Sequence, residues 1–142
     1  MNQLLKYFND FCSRKGLNKS KPRDSVVNAF LQTEHHISSY ELYNVLLKQG
    51  NKIGYSTVYR TLKLLTEAGI ARAIELGCET HFEHDYKHKH HDHFVCNQCG
   101  AIIEFSSPTI ERIQDQIARK FNFVSEHHSL IIYGLCQQCQ KK

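Results

Sequence analysis

An α+β fold in two parts is predicted by three observations on this chain. Four successive segments before residue 70 carry apolar residues at helical spacing, a short two-strand pattern with a glycine turn follows them, and a strand–helix–strand run then lies between two C-x-x-C pairs. The division expected is an N-terminal domain over 1–84 and a smaller one over 85–142. With 142 residues, 41% of them hydrophobic and 23% charged, the chain has the composition of a soluble globular protein of one ordinary or two small domains. No apolar run reaches the length of a signal core or a membrane span, so a cytoplasmic location is expected.

The elements follow in order. Leu4, Leu5, Phe8, Phe11 and Cys12 recur at helical spacing until Gly16 stops them. Pro22 stands where a helix favours its first residue and opens a second helix through Val26, Val27, Phe30 and Leu31. Ser38-x-x-Glu41 is a capping-box pattern ahead of Leu42, Val45 and Leu46, and Gly50 ends that third helix. A fourth runs from about Ser56 to Gly69. It separates into two faces: Val58, Leu62 and Leu65 pack inward, whereas Ser56, Arg60 and Lys63 face outward. Short hydroxyls followed by cations suit base edges and phosphates in a DNA major groove. Ile70 to Glu83, with a turn at Gly77, reads as two strands. Helices followed by a hairpin make a winged helix-turn-helix, with a helical bundle as the alternative on pattern alone.

Charge separates the halves. Residues 1–75 carry 11 Lys/Arg against 6 Asp/Glu, and residues 76–142 carry 7 against 8. The basic half is therefore the one suited to a polyanion, although a solvated basic face would give the same count. In the second half, Ala101–Phe105 reads as a strand, Pro108 opens a helix through Ile110, Ile113, Ile117 and Phe121, and Ser129–Leu135 reads as a second strand. So small a unit has a marginal core and requires a metal staple or a partner subunit. The two-sided apolar strand Leu130–Tyr133 suggests pairing in a dimer.

The staple is visible. Cys96, Cys99, Cys136 and Cys139 have zinc-ligand spacing, and four thiolates close a tetrahedral shell with no open position, the structural arrangement. Histidine occurs 10 times, clustered at 35–36, 81–93 and 127–128. On an extended segment His91 and His93 share one side, His90 and Asp92 the other, so one run can serve two metals. Imidazole and carboxylate together suit iron(II), manganese(II) or zinc. No H-E-x-x-H motif is present, which argues against a metallohydrolase, and a metal-storage module without DNA binding is the remaining rival.

Taken together, Pro22-Arg23, His35-His36, Gly54-Tyr-Ser-Thr-Val-Tyr-Arg60, Phe82-Glu83, His90-His-Asp-His93, Cys96-x-x-Cys99, Ile103-Glu-Phe105 and Cys136-x-x-Cys139 resemble the ferric uptake regulator family of bacterial repressors, over almost the whole chain. The resemblance implies a winged helix, an α/β dimerisation domain and operator DNA binding, switched by a divalent metal, by a homodimer or tetramer, with no enzymatic activity. It places a regulatory metal on His36, Glu83, His91, His93 and Glu104, and an additional metal on His90, Asp92, Glu111 and His128. It assigns groove reading to the helix bearing Tyr59 and Arg60, with Ser56, Thr57 and Lys63 alongside. Asn18 occupies the loop position where the family often has Lys, which leaves Lys19 or Lys21 as substitutes. Glu83 and Glu104 stand where peroxide-sensing relatives carry aspartate, which favours control of iron uptake by iron(II), with Mn2+ or Zn2+ as substitutes at that site. A zinc-uptake or peroxide-responsive regulator of the same family is the alternative, and Cys78 is the residue unexpected in an iron sensor. His84, Asp85 and His88 lengthen the ligand-rich loop.

Overall fold

The computed structural model describes residues 2–84, 90–126 and 128–141. The chain divides into two compact units, residues 1–88 and 89–142. Asp85 and His88, which the sequence adds to the ligand-rich loop, and His127 lie outside the described residues, as does the expected boundary after residue 84 on its C-terminal side.

The first unit runs α1 (Asn2–Arg14), α2 (Lys21–Leu31), β1 (Ile37–Ser38), α3 (Ser39–Lys48), α4 (Tyr55–Glu67), β2 (Ala71–Leu76) and β3 (Glu79–His84). Its core is the meeting of the helical apolar stripes: Phe8, Val26, Val27, Phe30, Leu42, Val58, Leu62 and Leu65 are fully buried. Each such side chain contributes about 1.5–3 kcal/mol relative to exposure. Local chemistry sets the helix ends. Ser20 caps α2 through its Oγ, which accepts from Arg23 N, and Pro22 occupies the first turn. Glu41 N donates to Ser38 Oγ at 3.2 Å while Ser38 N donates to Glu41 Oε2 at 2.8 Å, a complete capping box on α3. Gly69 takes φ of 71° just past α4, the left-handed conformation that lets the chain turn into β2.

β2 and β3 form an antiparallel hairpin, and β1 adds to β3 on its other edge to give the order β1-β3-β2. Sequence periodicity misses β1 because two residues carry no alternation to detect. Helices α2, α3 and α4 with this small sheet make a winged helix-turn-helix, preceded by α1.

The second unit contains β4 (Asp92–Cys96), β5 (Ile102–Phe105), α5 (Pro108–Lys120), β6 (Ile131–Gly134) and the short α6 (Gln137–Gln140). The sheet order is β5-β4-β6, with β5 antiparallel and β6 parallel to β4. Burial is sparse. Val95, Cys96, Cys139, Asp92 and His93 are buried, yet no residue of α5 is. Ile113, Ile117 and Phe121 on or after α5, and Phe94, Ile103, Ile132 and Tyr133 on the sheet, are 40–74% exposed. The last strand is shorter than Ser129–Leu135, and Cys139 lies on the short helix α6 that follows it.

Candidate metal centres and nucleic-acid interface

Two turns bring the cysteines together. The β4–β5 turn carries Cys96 and Cys99, closed by Gly100 N donating to Cys96 O at 2.9 Å, and the β6–α6 junction carries Cys136 and Cys139. Because β6 runs parallel beside β4, both turns lie at the same end of the sheet. The four Sγ atoms lie within 4.8 Å of one another, and Cys99 Sγ is 3.7 Å from Cys136 Sγ. Tetrahedral ligation at a Zn–S distance of about 2.3 Å requires S···S separations of about 3.8 Å, so the cage is close to the size that zinc needs. The thiols are also unequal. Backbone N–H donation, led by Cys136, pulls Cys96 down to about 6, and donation from the Cys139 backbone lowers Cys136. Burial pushes Cys139 up to about 12. Cys96 therefore gives up its proton most readily, whereas a metal has to displace the proton of Cys139.

A second cluster builds on the start of β4. His90 Nε2 lies 3.3 Å from Asp92 Oδ1 and 3.4 Å from Glu111 Oε1, and His128 Nε2 lies 3.7 and 3.3 Å from the same two oxygens. Glu111 comes from the first turn of α5, and Leu130 N holds Asp92 Oδ1 at 3.3 Å. Asp92 is 1% exposed, and its Oδ2 has no hydrogen-bond partner among the described residues. A buried carboxylate oxygen left in this way is costly, and a cation between two imidazoles and two carboxylates would satisfy it.

The residues expected to hold the regulatory metal fall into two half-sets. In the first unit, His36 Nε2 is 3.0 Å from Glu83 Oε2, both side chains under 10% exposed, because His36 enters β1 beside β3. In the second unit, the rings of His91 and His93 stand 4.9 Å apart, His93 is buried, and His91 Nε2 is 3.9 Å from Glu104 Oε2 on the paired strand β5. His84 does not join them. Its Nε2 is 2.6 Å from Phe30 O and its ring meets Phe30 edge-on at 4.8 Å, so it faces the core.

The outer face of α4 presents Ser56, Tyr59, Arg60 and Lys63, with the Lys63 ammonium 5.5 Å from the Tyr59 ring centroid. Thr57 is half-buried, less accessible than its neighbours. Gly54 caps α4 without a side-chain bond, its carbonyl accepting from Thr57 N and Val58 N. Lys19 and Lys21 are exposed at the start of α2. Tyr55, the first residue of α4, went unassigned in the sequence; an aromatic residue at that position was the only signal. Cys12 is buried, and Cys78 is exposed at the β2–β3 turn.

A winged helix carried in one chain with a four-thiol cage and imidazole–carboxylate clusters defines a metal-binding regulator of transcription. The family model described as "Ferric uptake regulator family" matches residues 14–133. The ferric uptake regulation protein of Neisseria meningitidis serogroup A is 38% identical over 143 residues, covering 97% of this chain and 98% of its own. The Helicobacter pylori ferric uptake regulator, whose structure is described as revealing three functional metal-binding sites, superposes with a TM-score of 0.86 at 28% identity, covering 99% of this chain and 94% of that one. The ferric uptake regulator of Francisella tularensis, solved with iron, gives 0.77 at 34% identity over 88% of this chain and 96% of that one. The chain belongs to the ferric uptake regulator family. Within the described residues no helix is long and apolar enough to cross a membrane.

Proposed function

We propose that the protein is a cytoplasmic, homodimeric repressor of iron-acquisition genes that binds operator DNA when iron(II) joins its two units, with no catalytic role. The observation that carries this reading is the division of donors: His36 with Glu83 is buried in one unit, His93 with His91 and Glu104 is gathered in the other, and neither set alone completes a coordination shell. An ion held by both sets would favour one arrangement of the units, and it acts only through its differential affinity for that arrangement. Moving the equilibrium from 1:99 to 99:1 requires about 5.5 kcal/mol, within reach of five ligands. Mn2+ or Zn2+ would substitute at this site.

Zinc in the cysteine cage would hold β4, β5, β6 and α6 together, and the His90–Asp92–Glu111–His128 cluster would take a further divalent ion. The exposed apolar residues of α5 and the second sheet support a second copy as the partner, since a unit with so little buried surface is marginal alone. Ser56, Thr57, Tyr59, Arg60 and Lys63 would enter the major groove, with Lys19 or Lys21 on the backbone.

The test is duplex binding by the metal-free and Mn2+-loaded protein, zinc cage intact. Mn2+ should tighten binding at least about tenfold; Arg60→Ala should weaken binding of the loaded protein with metal content unchanged, and His91→Ala should remove the metal response. Equal binding with and without Mn2+ would refute the switch.

A further inference from the structure

We infer that Tyr55 is a further specificity-determining residue of the DNA-reading surface, one that presents an apolar ring face to the nucleotide at the leading end of α4. This rests on the proposal that α4 enters the groove. Tyr55 is the first residue of α4 and is 45% exposed. It is nevertheless held in place. Its Oη lies 2.9 Å from Oγ of Ser39, a buried residue at the start of α3, and its ring meets that of Tyr43 edge-on at 5.9 Å and 90°. Both contacts come from α3, so the side chain is fixed by a neighbouring helix rather than by its own.

Helical spacing puts Tyr55, Tyr59 and Lys63 at i, i+4 and i+8, one stripe beside Ser56 and Arg60. Tyr55 thus extends the same face beyond the N-terminal end of the residues already assigned to it. A pinned aromatic ring offers contact area at small entropic cost, since its two side-chain torsions are already fixed. The chemistry of the contact follows from the hydroxyl. With Oη already hydrogen-bonded to Ser39, the larger part of what a ligand can contact is ring carbon. That surface matches the 5-methyl group of thymine at the groove floor or the deoxyribose beside it, and it offers no preference to a guanine or cytosine edge.

Replacement of each thymine of the operator by uracil removes one methyl group at a time and separates the two sources. Metal-loaded wild-type protein should lose about fourfold in affinity at one thymine per half-site, the transfer free energy of one methyl-sized group. Tyr55→Ala should bind the unsubstituted operator correspondingly less tightly and show no loss at that uracil. If no uracil matters but Tyr55→Ala weakens every duplex alike, the ring lies on deoxyribose, and the assignment of Tyr55 to specificity is overturned. Tyr55→Phe and Ser39→Ala break the hydroxyl contact and keep the ring, so they should retain most of the affinity. The inference is overturned if Tyr55→Ala binds as wild type, or if Tyr55→Phe and Ser39→Ala reproduce its whole loss, which would make Tyr55 an interhelical tie. Tyr55→Gln repeats the measurement should the alanine variant melt early. Loss of binding in Arg60→Ala alone would spare the reading of α4 and defeat only the assignment of Tyr55; absence of metal-dependent binding in wild type would defeat both.

Discussion

His84 sits one position after Glu83, in a stretch crowded with histidine, and its ring turns away from that carboxylate into the helical core. Strand alternation is the cause: Glu83 pairs across to Arg72 on one face of the hairpin, and His84 pairs with buried Ala71 on the other. Phe30 O already accepts from Thr33 N and Oγ1, so the imidazole closes a carbonyl at the end of α2 from a strand 54 residues away. His84→Ala should therefore cost about 2–4 kcal/mol of stability, from the cavity and the lost buried hydrogen bond. Chemical denaturation measures that loss. Bound-metal stoichiometry should stay at the wild-type value, and a lost metal equivalent would instead make His84 a ligand. Residue identity alone leaves the ring's direction open, because the register of β3 decides which face each histidine takes.

The helices of the first unit were legible in the sequence because their signals are local. Pro22, the Ser38/Glu41 box, Gly50 and Gly69 mark ends within one turn, and the inward stripe of α4 needs only a period of 3.6. Ser38→Ala removes one side of the box, and it should lower stability by about 1 kcal/mol, seen as a shift of the denaturation midpoint with unchanged slope. Because Ile37 and Ser38 also pair with Phe82 and His81, this cap fixes the segment that carries His36 toward Glu83. Weakened Mn2+ affinity in Ser38→Ala is the accompanying expectation, and an unaltered affinity would detach the cap from the site. β1 and α6 went unread for the opposite reason. Two and four residues are too few for a period, and long-range pairing or the turn after Cys136 makes them.

As a whole, the chain pairs a unit with a dense core and a unit that has almost none. Phe8 through Leu65 bury a full helical core in residues 1–88, whereas residues 89–142 rely on four thiols and leave their apolar faces open. Removal of zinc by a strong chelator should unfold the second unit and leave the first with its own cooperative thermal transition. Circular dichroism during chelation should show loss of the second unit's share of structure, and sedimentation should show the proposed dimer falling to monomer. A single transition abolishing all structure would show that the first unit depends on the second.

The sequence by itself determined helices α1 to α5, the cysteine cage and the alternation that sends His90 with Asp92 and His91 with His93, since capping, C-x-x-C spacing and strand pleat act over a few residues. Only the tertiary structure decided that β6 runs parallel beside β4, which puts Cys136 against Cys99, and that His36 meets Glu83 while His84 turns inward. Those outcomes depend on pairing between segments 37 to 54 residues apart. The sequence supplies the donors, and strand register places them within reach of one another.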